Sequence, residues 1–208
     1  MNKQQIKSLV NKPDAFVLDV GCYDGKDSIE LSEILKCDVH CFEPDPLSQD
    51  LFETLHGNNK RLHLHRFALS NVNGEIDFYQ SNHPQSNSIH PPKRHLNLFP
   101  AVEFDEVIKV KSKKLDTWYV QRSESRVIDF IWADLNGSEM DFILGGLTTL
   151  SVTRFLYIEA AVKELYEGQV HVDDLMAMVK NHLPYYEMVA MYNWGESFGN
   201  VLLKNKNL

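Results

Sequence analysis

One stretch near the start of this 208-residue chain, residues 17–26, constrains its fold more than any other. An apolar run over residues 15–20 stops at Gly21, a second glycine follows at Gly25, and a helical pattern then begins. This pattern is typical of a buried strand, a tight turn and a helix start. The two glycines allow the backbone to bend sharply and to approach a ligand closely. A strand-to-helix turn without a ligand is the simpler alternative.

Strand patterns alternate with helical patterns along much of the chain. They cover residues 15–20, 38–42, 62–68, 75–79, 108–112, 129–133, 154–160, 185–191 and 200–204. This alternation predicts an α/β fold built on a doubly wound, mostly parallel sheet. The short connection before the last strand predicts that this strand pairs antiparallel with its neighbour. The length of the chain favours one domain over residues 1–208.

Shorter patterns predict local detail. Asn73-Gly74 predicts a hairpin turn, and Glu139 and Asp141 at a helix start are expected only to complement the helix dipole. One apolar helix face is expected to pack inward, formed by Leu47, Leu51, Phe52 and Leu55. The aromatic side chains of the final hairpin are expected in the core, namely Tyr192, Trp194 and Phe198.

Composition disfavours several classes of function. The formal charge of −8, from 21 basic and 29 acidic residues, argues against a nucleic-acid partner. Three cysteines, Cys22, Cys37 and Cys41, suit neither a disulfide framework nor a metal site, and we expect buried thiols in a reducing cytoplasm. The sequence contains no apolar run that predicts a membrane span or a signal peptide.

Residues 80–107 differ from the rest of the chain because Asn, Ser, His and Pro dominate them. A loop of this length in a compact domain is usually functional or disordered. We expect an inserted polar loop that closes over a site or binds an acceptor molecule.

Ligands of such sheets bind at the carboxyl ends of the strands. These ends are predicted to carry residues 21–25, Glu43, residues 68–70, Asp134 and Glu159. Four of the five ends include an acid, because Asp24 lies in the first of them. Converging carboxylates repel one another unless a cation or a donor-rich ligand lies between them. The pattern therefore predicts a ligand with positive charge or several hydrogen-bond donors.

Glu43 lies 22 residues beyond Gly21, where an acid can accept both hydroxyls of a ribose. A nicotinamide-dependent oxidoreductase makes the same contact, but the pattern Gly-x-Gly-x-x-Gly is absent and Asp24 would repel a pyrophosphate. A nucleoside ligand without phosphate is therefore favoured. S-adenosylmethionine fits, because its ammonium and sulfonium suit the acids and its adenine suits the apolar pair Ala68-Leu69.

Several stretches, taken in order, resemble one family. They are Val17–Gly25, Cys41–Pro44, Ala68–Asn71, Asn87-Ser88, Lys113–Asp116 and Asp129–Gly137. The set is similar to the FkbM-type methyltransferases of the class I S-adenosylmethionine-dependent fold. The resemblance implies a seven-stranded sheet whose last strand is antiparallel, S-adenosylmethionine as cofactor, and O-methylation of a hydroxyl on a small-molecule or sugar acceptor.

The resemblance and the strand ends together supply the candidate site residues. Asp134, expected near the transferred methyl, is the candidate catalytic residue. The candidate cofactor-binding residues are Gly21, Cys22, Tyr23, Asp24, Gly25, Ser28, Glu43, Pro44, Ala68, Leu69 and Asp134. The candidate acceptor-binding residues are Asn87, His90, Asn136 and Glu159.

Two positions depart from the family pattern Phe-Ile-Lys-Ile-Asp-Val-Glu-Gly. Trp132 stands where the pattern has lysine, and Asn136 stands where it has an acid, so a charge pair is lost. These departures motivate an alternative, in which the chain binds the cofactor without catalysis and serves as a partner or scaffold. Candidate bases for an active enzyme are Asp134, Glu159, His83, His90 and His95.

Overall fold

The computed structural model describes residues 1–122 and 126–208. The strands are β1 Val17–Val20, β2 Val39–Phe42, β3 Leu62–His65, β4 Ala68–Leu69, β5 Gly74–Ser81, β6 Phe104–Lys113, β7 Ile128–Ala133, β8 Thr153–Ala161, β9 Tyr186–Tyr192 and β10 Phe198–Asn205. The α-helices are α1 Lys3–Val10, α2 Lys26–Leu35, α3 Pro46–His56, α4 His95–Leu98, α5 Leu115–Val120, α6 Glu139–Gly145, α7 Leu147–Ser151 and α8 Val172–His182.

The main sheet has seven strands in the order β3-β2-β1-β7-β8-β10-β9. Its central pairings are parallel, with Val17 of β1 opposite Val39 of β2 and Phe130 of β7. Strand β10 lies between β8 and β9 and pairs antiparallel with both. The α/β fold with a seven-stranded, mostly parallel sheet and an antiparallel last strand is therefore confirmed.

The strand order places the site at one point of the sheet. The chain builds outward from β1 through β2 to β3, and then returns to the other side of β1 with β7. The strand order thus reverses between β1 and β7, and such a reversal opens a crevice at the carboxyl ends. The residues of β1 and β8 are buried almost without exception, as expected of strands that are covered on both faces.

The helices beside this crevice begin directly after the strands. Helix α2 starts at the end of the glycine turn, with Gly25 as its N-cap. Helix α3 starts at Asp45, whose carboxylate accepts the backbone N–H groups of Leu47 and Ser48, and Pro46 occupies its first turn. These short connections hold the loops after β1 and β2 close to the sheet.

The predicted strand at residues 62–68 is wrong in part. Strand β3 ends at His65, and the backbone N–H of Phe67 donates to the His65 carbonyl (3.1 Å), which turns the chain away. Strand β4 then joins a second sheet in the order β4-β6-β5. The predicted hairpin at Asn73-Gly74 is wrong, because β6 lies between the two strands that this turn connects.

Strands β5 and β6 pair with each other instead, and residues 82–103 connect them. The predicted loop at 80–107 is thus shorter than expected, since β6 begins at Phe104. A 3₁₀ turn over Pro84–Ser86 and the short helix α4 lie inside this connection.

Two burial predictions are wrong. On α3 the inward residues are Ser48, Gln49 and Phe52, while the three leucines of the predicted core face are exposed, namely Leu47, Leu51 and Leu55. Trp194 and Phe198 are 41% and 37% exposed and do not belong to the core. The three cysteines are buried free thiols, as expected. Among the described residues, no helix is long and apolar enough to cross a membrane.

Candidate active site

A cavity of about 390 Å³, called here the first cavity, opens at the carboxyl ends of β1, β2 and β7. Its volume falls within the range of small-molecule sites, roughly 300–1,000 Å³. Most of the predicted cofactor-binding residues line it, namely Gly21, Cys22, Tyr23, Asp24, Glu43, Pro44, Ala68, Leu69 and Asp134. The predicted acceptor-binding residues Asn87 and Asn136 line it as well.

Gly21 is required by close backbone packing at the floor of the first cavity. Its φ is +81°, and a Cβ atom at this position would lie 1.9 Å from the backbone oxygen of Asp134. The backbone N–H groups of Gly21 and Cys22 both donate to the Phe42 carbonyl, at 3.0 and 3.1 Å. The turn after β1 is therefore fixed against the ends of β2 and β7 at once.

Glu43 is buried beside this turn, and the backbone holds its carboxylate. One oxygen accepts the Tyr23 N–H at 2.9 Å and the other accepts the Asp45 N–H at 2.8 Å. Burial raises the pKa of this carboxyl to about 7, against the effect of the two hydrogen bonds. The carboxylate is thus oriented before any ligand arrives.

Asp19, which the sequence reasoning missed as a site residue, lines the first cavity from within β1. One of its oxygens accepts the hydroxyl of Ser28. The other, Oδ1, is buried and has no hydrogen-bond partner among the described residues. Burial raises the pKa of this carboxyl to about 7. A buried acceptor without a partner favours a ligand that donates to it, and the available signal was an acid inside an otherwise apolar strand.

Asp134 follows β7, and its side chain is exposed to the first cavity. Limited hydration within the cleft raises the pKa of its carboxyl to about 6, and the negative charge of Asp27 adds to the shift. The lining of the first cavity contains one basic residue, Lys26, and five acids, namely Asp19, Asp24, Asp27, Glu43 and Asp134. The first cavity is accordingly suited to a cation.

Four predicted site residues lie outside the first cavity, namely Gly25, Ser28, His90 and Glu159, the last of which is described below. A Cβ atom on Gly25 would lie 2.5 Å from the ring of Phe52, so this glycine serves the packing of α2 against α3. Ser28 is fully buried, and its hydroxyl donates to Asp19, which lines the first cavity. His90 is held by Asp141 at 2.6 Å, which ties the connection between β5 and β6 to α6.

Glu139 contradicts the expectation of a helix-dipole role alone. It is 2% exposed, and its carboxylate accepts the backbone N–H of Gly137 at 3.0 Å. Burial, with the nearby charge of Asp134, raises the pKa of this carboxyl from 4.5 to about 7. The fold therefore favours the protonated form of Glu139.

This burial predicts a pH-dependent gain in stability for Glu139→Gln. Below the unfolded pKa both states of the wild type are protonated, and its stability falls as the pH rises from 4.5 through 7. The loss reaches up to about 3 kcal/mol, because one pKa unit corresponds to about 1.4 kcal/mol. Glutamine does not titrate. We therefore expect the free energy of unfolding of the variant, relative to that of the wild type, to rise by up to this amount between pH 5 and pH 8.

Urea unfolding at both pH values measures the gain of the Glu139 variant. The exposed residue Glu167 provides the control. Glu167→Gln should change the free energy of unfolding, relative to the wild type, by the same amount at both pH values. A difference between variant and wild type that is equal at pH 5 and pH 8 would contradict the raised pKa.

Asn136 fastens the connection between β5 and β6 to the end of β7. Its φ of +46° lies in the left-handed region, which asparagine tolerates better than most residues. Its side-chain amide donates to the backbone carbonyls of Gln85 (2.8 Å) and Asn87 (3.0 Å). A carboxylate has no N–H to donate, so the asparagine that departs from the family pattern has a structural role of its own here.

A second cavity, of about 550 Å³, adjoins the first. Gln85 and Asn136 line both, so the two cavities share a boundary. The predicted acceptor-binding residue Glu159, on β8, lines the second cavity and not the first.

The doubly wound sheet with its antiparallel strand β10 and the acid-lined cavity at its switch point are those of an S-adenosylmethionine-dependent methyltransferase. Residues 19–185 match the Methyltransferase FkbM domain, and the chain belongs to that family. It is 39% identical over 213 residues to the 2-O-methyltransferase NoeI of Sinorhizobium fredii (strain NBRC 101917 / NGR234), a match that covers 99% of this chain and 85% of that protein.

Solved structures of methyltransferases share the fold. Fibrillarin from Aeropyrum pernix, in complex with natively bound S-adenosylmethionine, matches with a TM-score of 0.56 at 9% identity, over 97% of this chain and 72% of that one. A SAM-dependent methyltransferase from Aquifex aeolicus matches with a TM-score of 0.52 at 12% identity, over 98% and 89% of the two chains. At such identities the likeness concerns the fold alone.

Proposed function

We propose that this methyltransferase acts on a hydroxyl oxygen of a small molecule or a sugar. The observation that carries the proposal is the second cavity, which adjoins the first at Gln85 and Asn136. A transfer between two substrates needs neighbouring sites, and this pair supplies them. The name 2-O-methyltransferase, borne by the relative NoeI, supports oxygen as the acceptor atom. The net charge of −8 argues against a nucleic-acid acceptor.

The first cavity fits S-adenosylmethionine through its acids and its apolar wall. Glu43 would accept the ribose hydroxyls, since its carboxylate is already oriented by two backbone N–H groups. Asp19 would accept from the ammonium group, which would give the partnerless Oδ1 a donor. Ala68 and Leu69 would flank the adenine. This set adds Asp19 to the residues expected from the sequence.

The Glu43→Ala variant is expected to bind S-adenosylhomocysteine more weakly by about 1–3 kcal/mol, because a charged acceptor is lost from a buried site. Calorimetric titration at pH 8, above the Glu43 pKa of about 7, measures the change. Glu33→Ala, an exposed substitution on α2, is the control and should bind as the wild type does. Unchanged affinity in the Glu43 variant would remove this residue from the site.

Catalysis here depends mainly on alignment. S-adenosylmethionine supplies a methyl group already activated by its sulfonium. The protein has to bring the acceptor oxygen into line with it, and such positioning can contribute roughly 7–11 kcal/mol. Asp134 lines the first cavity and lies two residues before Asn136, which lines both cavities. We assign Asp134 to the positioning of the reacting groups.

Incubation with S-adenosylmethionine and a panel of neutral alcohols, phenols and glycosides, with amines and thiols of similar size alongside, tests the proposal. We expect formation of S-adenosylhomocysteine with at least one hydroxyl compound, and mass spectrometry should locate the new methyl on oxygen. Turnover only with amines or thiols would contradict O-methylation. Tight binding of S-adenosylhomocysteine without turnover on any acceptor would favour the alternative of a non-catalytic binding partner.

A further inference from the structure

The second cavity has a mostly apolar wall with a few polar groups. The wall comes from the connection between β5 and β6 and from the segments after β8, with Leu98, Phe99, Val102, Leu165, Tyr166 and Phe198 as its apolar members. Glu159 and two histidines, His83 and His95, add polar atoms. No lysine or arginine is found among the described residues that line it. Large apolar area with few polar groups is typical of a small-molecule site.

Glu159 is the unusual member of this lining. It is only 9% exposed, and within the described part of the chain neither a hydrogen bond nor a cation offsets the burial of its carboxylate. Burial raises the pKa of this carboxyl well above 4.5, and the charges of Asp134 and Glu139 raise it further. An unpaired buried carboxylate is costly to a fold. Its retention therefore points to a ligand that donates a hydrogen bond.

His95 supplies a second polar group without a partner. It is 5% exposed, and its Nδ1 atom is buried without a hydrogen-bond partner among the described residues. Burial lowers the pKa of this imidazole, so the neutral ring is favoured. A neutral His95 does not balance the negative charge of Glu159.

The electrostatics of the second cavity select against anions. The charges of Asp134 and Glu139 act on Glu159, and the charge of Glu159 acts in turn on the hydroxyls of Tyr157 and Tyr166. The imidazoles of His83 and His95 line the same cavity. A negatively charged acceptor would meet like charges in a desolvated space, which weakens its binding. An uncharged acceptor with an apolar face and a hydroxyl fits the same groups.

We propose that the second cavity holds the body of an uncharged acceptor, and that Glu159 binds the reacting hydroxyl and receives its proton. This inference rests on the proposed O-methylation. In the step, the acceptor oxygen forms a bond to the methyl carbon while the carbon–sulfur bond breaks and its electron pair stays on sulfur. The hydroxyl proton passes to the Glu159 carboxylate and leaves to solvent. Asp134, exposed to the first cavity, positions the reacting groups beside it.

Binding of matched neutral and anionic probes tests the assignment without turnover. The pairs are phenyl β-D-glucopyranoside with phenyl β-D-glucuronide, and benzyl alcohol with benzoate. Ligand-observed NMR at pH 9, with saturating S-adenosylhomocysteine, gives the affinities, because burial raises the pKa of Glu159 and an alkaline pH favours its charged form. We expect at least one neutral probe to bind about ten-fold tighter than its anionic partner. The Glu159→Gln variant should reduce that preference to about three-fold or less, because the repelling charge is gone.

Two further variants separate the second cavity from the rest of the surface. Ala101→Trp places a large ring at the lining and should abolish probe binding, while the affinity for S-adenosylhomocysteine stays unchanged. Glu167→Gln, an exposed substitution, should match the wild type in every measurement. The proposal is overturned if no probe binds, if the neutral preference is absent or survives in Glu159→Gln, or if probes still bind Ala101→Trp.

Turnover distinguishes this inference from the proposed function. With any acceptor that the wild type methylates, Glu159→Gln should lower kcat about 100-fold or more while the affinity for S-adenosylhomocysteine is retained. If O-methylation is found and this variant keeps full kcat, the function stands and the role of Glu159 falls. If methylation is found only on nitrogen or sulfur, the proposed function falls, whatever the probes show.

Discussion

Replacing Gly21 by valine is expected to abolish binding of S-adenosylmethionine and S-adenosylhomocysteine. The added Cβ would lie 1.9 Å from the Asp134 carbonyl oxygen, so the turn after β1 or the end of β7 would have to move. Both segments line the first cavity. In addition, the positive φ of +81° is unfavourable for any residue with a Cβ, by roughly 1–2 kcal/mol. We expect an affinity loss of more than about 100-fold.

Gly168 provides a matched control for this substitution. Its φ is +76°, close to that of Gly21, but a Cβ atom there would meet nothing within 4 Å. Gly168→Val should therefore introduce the backbone strain without a steric overlap. Its affinity for S-adenosylhomocysteine should stay within about three-fold of that of the wild type. Circular dichroism identifies the folded fraction, and Gly21→Ala substitutes if the valine variant does not fold. A folded Gly21 variant with normal affinity would place the cofactor elsewhere.

The Asp134→Asn variant is expected to lower turnover by about 100-fold or more without loss of folding stability. Asparagine keeps the shape of the side chain and removes the charge that lies beside the boundary of the two cavities. The competing explanation, that Asp134 caps the next helix, has little support, because the N-cap of α6 is Ser138. Because limited hydration raises the pKa of the Asp134 carboxyl to about 6, removal of its charge should not lower the stability above that pH.

Thermal unfolding and single-acceptor kinetics, measured together, check the Asp134 prediction. Asp173→Asn, in the first turn of α8, is the control for an acid at a helix start, since Asp173 lines neither cavity. Full turnover in the Asp134 variant would show that Asp134 does not position the reacting groups. A loss of stability with unchanged turnover per folded molecule would instead support a structural role.

The sequence predicted the parts of the site that depend on local pattern. Short sequence patterns predicted three features, namely the turn at Gly21 after β1, the acid after β2 and the acid after β7. The structure places all three around one cavity. The hairpin at Asn73-Gly74 failed because strand pairing is not local. A good turn signal connects β4 to β5, but β6 takes the place between them.

Burial of acids was the least predictable property. Asp19, Glu139 and Glu159 are 1%, 2% and 9% exposed, yet the sequence marked only Glu159 as a site residue. An acid near a strand end or helix start carries the same signal whether it lies in solvent or under a neighbouring element. Only the packing of β7, α6 and β8 against one another decides which carboxylates are desolvated.

The tryptophan at position 132 also finds its explanation in a distant residue. The ammonium of Lys3, on α1, lies 3.8 Å from the centre of the Trp132 ring and pairs with Asp27, which lines the first cavity. A positive charge from the first helix, α1, thus lies beside the position where the family pattern has lysine. A cation over an indole face contributes about 0.5–2 kcal/mol.

The two hydrogen bonds that the Asn136 side chain donates have a consequence for how enzymes of this kind can diverge. These two bonds go to backbone carbonyls, those of Gln85 and Asn87, and so they do not depend on the side chains of the connection that they hold. The side chains of this connection that line only the second cavity, such as Leu98, Phe99 and Val102, can therefore change, and with them the shape offered to an acceptor, while these two bonds remain. Glu43, Asp19 and Gly21 lie on other elements and need not change in step. Enzymes of this kind can then acquire new acceptors through substitutions in one segment, while the residues proposed to bind the methyl donor stay the same.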